Sequence, residues 1–154
     1  MSTATQLQLR SLKLPAHRPL VPVEVVMVLA DEHEYEVEAA VDCGALAPAW
    51  DIAGPDAERR ELRIWSGCLE DYASGANERV TVRFNLSLIF PHSRPHLLST
   101  EIQRLFSCSS THVHNLIAAG LLTQIGKPLA ERGPNSAVQV TRASVEKFLK
   151  ERQQ

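Results

Sequence analysis

Between residues 109 and 115 the chain places six hydrogen-bonding side chains and no acid: Ser109, Ser110, Thr111, His112, His114 and Asn115. Val113, Leu116, Ile117 and Gly120 fall among and after them at i, i+3, i+4 and i+7, the spacing of one helix face. A helix here buries that stripe and turns the polar side chains outward. Asn can pair bidentately with an adenine edge, while Ser, Thr and His can pair with bases or phosphates. Four cations stand near enough in sequence to flank such a face: Arg104, Lys127, Arg132 and Arg142. Together these side chains are the candidate contact set for double-stranded DNA. Cations supply affinity for phosphate, and the polar face supplies choice among bases.

Other chemistry finds little footing. His92, His96, His112 and His114 are the only histidine cluster, and Pro91 and Pro95 prevent His92 and His96 from sharing a helix face. No HExxH, paired-cysteine, GxSxG or phosphate-cradling glycine pattern accompanies them. The expectation is a non-enzyme with no catalytic residue, no metal and no cofactor.

The polar run needs a frame. Residues 80–90 alternate, with Val80, Val82, Phe84, Leu86, Leu88 and Phe90 on one side, and predict a half-buried strand. Ser99 or Thr100 caps a short helix with Ile102, Leu105 and Phe106 inward, Thr100 and Gln103 fitting a reciprocal capping pattern. Ser109 or Ser110 caps the next helix, and Gly120 suits its left-handed exit. Strands near Thr123–Gly126 and Ala137–Val140 enclose a loop rich in Gly, Pro and charge. Thr141 then caps a last helix that buries Val145, Phe148 and Leu149. Helix, turn, helix, two-stranded wing and helix make a winged helix-turn-helix.

Sliding the sequence by 76 residues aligns it with itself without a gap. Eleven of 78 overlapped pairs are identical, among them Pro19/Pro95, Leu29/Leu105, Val37/Val113, Gly44/Gly120 and Leu46/Leu122. Roughly four or five are expected by chance. The first copy offers a strand over residues 6–14, helices Val23–Leu29 and Glu34–Cys43, wing strands Ala49–Ile52 and Glu61–Ile64, and a final helix over 67–74. The fold class is therefore α+β: two tandem winged helix-turn-helix units, each preceded by a β-strand, spanning 1–76 and 77–154. Units this small have marginal cores, so they are expected to pack on each other. Trp50, Trp65 and Tyr72 are expected in that core, with Cys43 and Cys68.

Charge separates the copies. Residues 1–76 carry six Lys/Arg and thirteen Asp/Glu, whereas residues 77–154 carry ten and five. On the first copy's second helix and its approach stand Glu32, Glu34, Tyr35, Glu36, Glu38 and Asp42. Such a surface repels phosphate. It suits dimerisation, a basic protein partner for the helix Glu34–Asp42, or cover for the second unit.

Over residues 98–152 the chain resembles the MerR/excisionase class of winged helix-turn-helix proteins, with a diverged second copy in 18–75. The resemblance rests on Ser99-Thr100-Glu101-Ile102, Leu105, Ser107, Ser109, Val113, Leu116-Ile117, Gly120 and Leu122. The closing residues Val138-Gln139-Val140, Ser144-Val145 and Phe148-Leu149 extend it. It implies a sequence-specific DNA-binding protein of a bacterium or phage, a transcriptional regulator or excisionase-type accessory factor. Two rivals remain: a protein–protein adaptor that keeps the fold for dimerisation, and a packaging factor like the phage small terminase. No apolar run approaches the ~20 residues of a membrane span, and three cysteines without a CxxC pair fit a reducing cytoplasm.

Overall fold

The computed structural model describes residues 18–75, 84–126 and 138–154. These form a mixed α+β fold with two three-stranded antiparallel sheets. Strand β1 (Leu20–Pro22) leads into α1 (Val23–Ala30) and, after a turn, α2 (Glu34–Asp42). Strands β2 (Ala49–Asp51) and β3 (Leu62–Trp65), a 3-10 turn at Ser66–Cys68 and α3 (Leu69–Ser74) complete the first half. The second half runs β4 (His96–Leu98), α4 (Ser99–Phe106), α5 (Ser110–Ala118), β5 (Gln124–Ile125), β6 (Gln139–Thr141) and α6 (Arg142–Arg152). The last strand of each half is the middle of its sheet, in the orders β1-β3-β2 and β4-β6-β5.

Local chemistry sets the boundaries. Helices α1 and α4 stop at Asp31 and Ser107, both left-handed at φ 54° and 48°. A residue there ends the helical ladder and turns the chain sharply. Ser109 Oγ accepts the His112 N–H at 3.2 Å, and Thr141 Oγ1 accepts that of Ser144 at 3.3 Å, so both caps fall where the sequence placed them. Gly44 and Gly120 follow α2 and α5 at φ 80° and 75°, a conformation that a Cβ would strain.

The first sheet buries apolar side chains on both faces. Val21, Ala49, Leu62 and Ile64 face α1 and α2 and share a buried core with Val26, Leu29, Val37, Val41 and Leu69. Side chains alternate along a strand. Leu20 and Trp50 therefore point the other way, with Ile52 just beyond β2, and enter a second core built on Leu97, Ile102, Phe106, Leu116, Val140 and Phe148. Residues from both halves thus share one core. Chain-end contacts extend it: Gln153 bridges to Trp50, and the Gln154 N–H donates to the Ala49 carbonyl at 2.9 Å along the free edge of β2.

Arg63 projects from the same face of β3 and is 7% exposed. Its Nε donates to the Phe106 carbonyl at 2.7 Å and its Nη2 to the Ser107 carbonyl at 3.2 Å, at the C-terminal end of α4. Those carbonyls have no partner within their helix, and a helix C-terminus favours a cation. Glu61 takes the remaining charge at 2.8 Å. Ser107 Oγ returns a bond to the Leu20 carbonyl at 2.6 Å.

Several expectations are corrected. Residues 84–90 form no strand: Leu86–Leu88 is a 3-10 turn, Ile89 and Phe90 are buried side by side, and Leu88 is 64% exposed. Asn85 Oδ1 accepts both the N–H and the hydroxyl of Ser87, bending the chain where an extended strand would need it straight. In the second half the strand before the first helix is instead β4, and in the first half β1 precedes α1; both are too short to alternate visibly. The proposed strand at 6–14 and residues 80–83 fall outside the described residues. Helix α4 begins at Ser99 rather than after it, and Glu101 Oε1 accepts the Leu98 N–H at 3.4 Å in place of the Thr100–Gln103 arrangement. Cys43 is exposed at the end of α2, not in the core.

Replacing Arg63 by Ala strands the two α4 carbonyls in a buried joint. Urea unfolding should show a loss of about 3 kcal/mol, and Arg63→Lys, which reaches only part of this fork, should fall between. The thiols offer a second check. Burial pushes Cys68 and Cys108 each up to about 11. Maleimide at neutral pH should therefore label Cys43 first. Because the folded values lie above the ordinary 9.0, stability from these thiols is complete below pH 9. It should decline as pH rises toward 11.

Candidate nucleic-acid interface

Helix α5 is held from beneath by Val113 and Leu116, both fully buried. Ser110, Thr111, Asn115 and Ala118 are exposed, and His114 is half-buried. Thr111, Asn115 and Ala118 at i, i+4 and i+7 form one outward stripe of the helix. It carries hydrogen-bonding groups at its start and small side chains at its end, with no carboxylate on the helix itself. Such a stripe can approach a polyanion closely and present donors and acceptors to base edges.

The rest of the predicted set divides. Ser109 is committed to the α5 cap. His112 turns toward the first half: its Nε2 lies 2.7 Å from the Ile52 carbonyl and its Nδ1 3.7 Å from Glu61 Oε2. A carbonyl only accepts, so the hydrogen resides on Nε2. Arg142 lies 4.3 Å over the Phe90 ring, and it donates to Glu146 at 2.9 Å and to the His92 carbonyl. It is an internal strut rather than a free cation. Arg104 is exposed on the last turn of α4, beside a shallow cavity of about 180 Å³ walled by Pro19, Leu88, Phe90 and Leu105. Lys127 and Arg132 lie outside the described residues.

Helix α2 presents a different surface. Tyr35 is 68% exposed and stacks on His33 at 5.7 Å. Of the five carboxylates singled out, three serve the fold locally. Glu32 accepts the Tyr72 hydroxyl at 2.7 Å, and Glu36 accepts the His33 N–H at 2.7 Å. Asp42 pairs with Arg60 at 2.8 Å, whose hydrogen bond holds its carboxyl below the usual carboxylate range. Burial and the Glu32 carboxylate raise the Tyr72 hydroxyl well above an ordinary phenol. Glu34 is exposed and Glu38 half-buried.

Sequence reasoning missed Glu61, Arg63 and the Ile52 carbonyl, which surround the α4–α5 turn. The one available signal was an arginine among Leu62, Ile64 and Trp65. Among the described residues no three His, Cys, Asp or Glu side chains come together to hold a metal, and no helix is long and apolar enough to cross a membrane. No family model matches the chain, and no curated protein or solved structure matches it either.

The cap on α5 is directly testable. Ser109→Ala leaves the His112 N–H without its acceptor, and the folded state should lose about 1 kcal/mol, measured by thermal or urea unfolding.

Proposed function

We propose that the chain is a pair of tandem winged helix-turn-helix units, 1–76 and 77–154, and that the second binds double-stranded DNA with sequence preference through α5. In this reading it is a non-catalytic transcriptional regulator or excisionase-type accessory factor. One observation carries it: the acid-free stripe of Thr111, Asn115 and Ala118 lies outward on a helix rooted in the core. The likeness of the halves supports the frame. Registers Val21↔Ile64 and Leu97↔Val140, left-handed Asp31 and Ser107, and the exits Gly44 and Gly120 all stand 76 residues apart.

The acidic unit is then a docked support that does not itself read DNA. The adaptor reading gains from a different observation, the exposed Val28 (60%) and Tyr35 (68%) on the first unit. Mobility shift with mixed genomic fragments at low salt separates the two. DNA binding predicts a retarded complex that weakens steeply with salt. Asn115→Ala and Thr111→Ala should each lose about tenfold at a preferred site, from a base contact worth ~1–3 kcal/mol, and little on random DNA. Glu34→Gln with Glu38→Gln should keep site choice. No complex at any salt concentration leaves the adaptor standing.

A further inference from the structure

Besides the shared apolar core, the acidic unit meets the reading helix through polar groups at the first turn of α5. There His112 is held by the Ile52 carbonyl at 2.7 Å, and the Glu61 carboxylate stands 3.7 Å from its other ring nitrogen. The hairpin carrying these groups is braced. Asp51 Oδ1 accepts the N–H groups of Ala53 and Glu61, each at 3.0 Å, and Arg152 donates to the Ala53 carbonyl at 3.0 Å. Arg63 engages Glu61 Oε1 and leaves Oε2 toward His112. The Glu61 side chain remains 40% exposed, so its charge reaches solvent at the start of α5, beside His112.

We propose that Glu61 and the Ile52 carbonyl form a built-in latch that keeps His112 out of the DNA-facing surface and sets the affinity of α5 for phosphate low. The inference rests on the DNA-binding reading of that helix. Shared apolar packing through Leu20, Trp50 and Ile52 fixes the units to each other, so the latch opens by rotation of the His112 side chain alone. A duplex entering beside α5 places a phosphate where it competes with the Ile52 carbonyl for the Nε2–H of His112. Until His112 turns, the carboxylate opposes that phosphate. Like charges about 7 Å apart in water change affinity by roughly threefold, and by more where solvent is partly excluded.

The test compares wild type, Glu61→Gln and Glu24→Gln, each full-length, on one mixed-sequence DNA duplex across a salt series. Glu24 is exposed on α1 and supplies the same change in net charge without contact with His112. Glu61→Gln should bind about three- to tenfold more tightly at low salt, with the gain fading as salt screens the charge, while Glu24→Gln matches wild type. Unchanged thermal midpoints exclude a folding effect. Equal gains in both variants, or none in Glu61→Gln while wild type binds, overturn the latch and leave the DNA reading intact. If wild type and both variants fail to bind, the DNA reading falls and the latch with it. An independent readout is nitrogen NMR of the His112 ring. It should report hydrogen on Nε2 in the free protein, and a ring hydrogen on Nδ1 instead overturns the latch.

Discussion

A buried guanidinium sets the relation between the two halves. Arg63 leaves the middle of a sheet whose other side chains at that level are apolar, and besides the Leu62 carbonyl of its own strand it finds two carbonyl partners on the neighbouring half. Taking a cation out of water is costly unless its donors are satisfied. The charge therefore specifies where the end of α4 must lie, and Leu20, Trp50 and Ile52 fill the space that this position defines. Apolar contact alone would tolerate sliding. The guanidinium fork, with its fixed donor directions, does not.

This joint explains why otherwise similar sheets carry unlike outer faces. Where the first sheet has Leu20, Arg63 and Trp65, the second has His96, Gln139 and Thr141 at the corresponding places in the ladder. The first set is covered to differing degrees and the second is partly or wholly open. A sheet buried on two sides loses the polar alternation of a one-sided sheet. The contiguous Leu20-Val21 and Ala49-Trp50 pairs are that loss written in sequence. The same joint divides α5: the turn side of its first residues belongs to the first half, and only the stripe beyond it is free.

Much of the fold was legible because it rests on short-range rules. Cap hydroxyls at Ser109 and Thr141, exit glycines at 44 and 120, and the Val113–Leu116 spacing each report their own few residues. Helices α1 and α2, both hairpins and the sharing of a core between halves followed from them. The rest depended on distant partners. Phe84–Phe90 alternates as a strand does, yet Phe84 packs edge-on to Trp50 and Trp65 while Asn85 folds the chain. Arg142 reads as a spare cation until Phe90 and the His92 carbonyl appear beside it. Within the candidate surface, Thr111 and Asn115 were placed by periodicity. The diversion of His112 needed knowledge of a carbonyl sixty residues earlier.

The chain has two tryptophans, and both lie at the joint. Trp50 is fully enclosed there and its indole N–H meets no acceptor among the described residues, while Trp65 is only partly covered, and the two flank one phenyl ring, Phe84. Intrinsic emission is consequently a reporter of how the halves sit together rather than of folding in general. One component belongs to a fully enclosed indole and the other to a partly exposed one. Separation of the halves with each still folded would shift the first component to the red and leave the backbone signal almost unchanged.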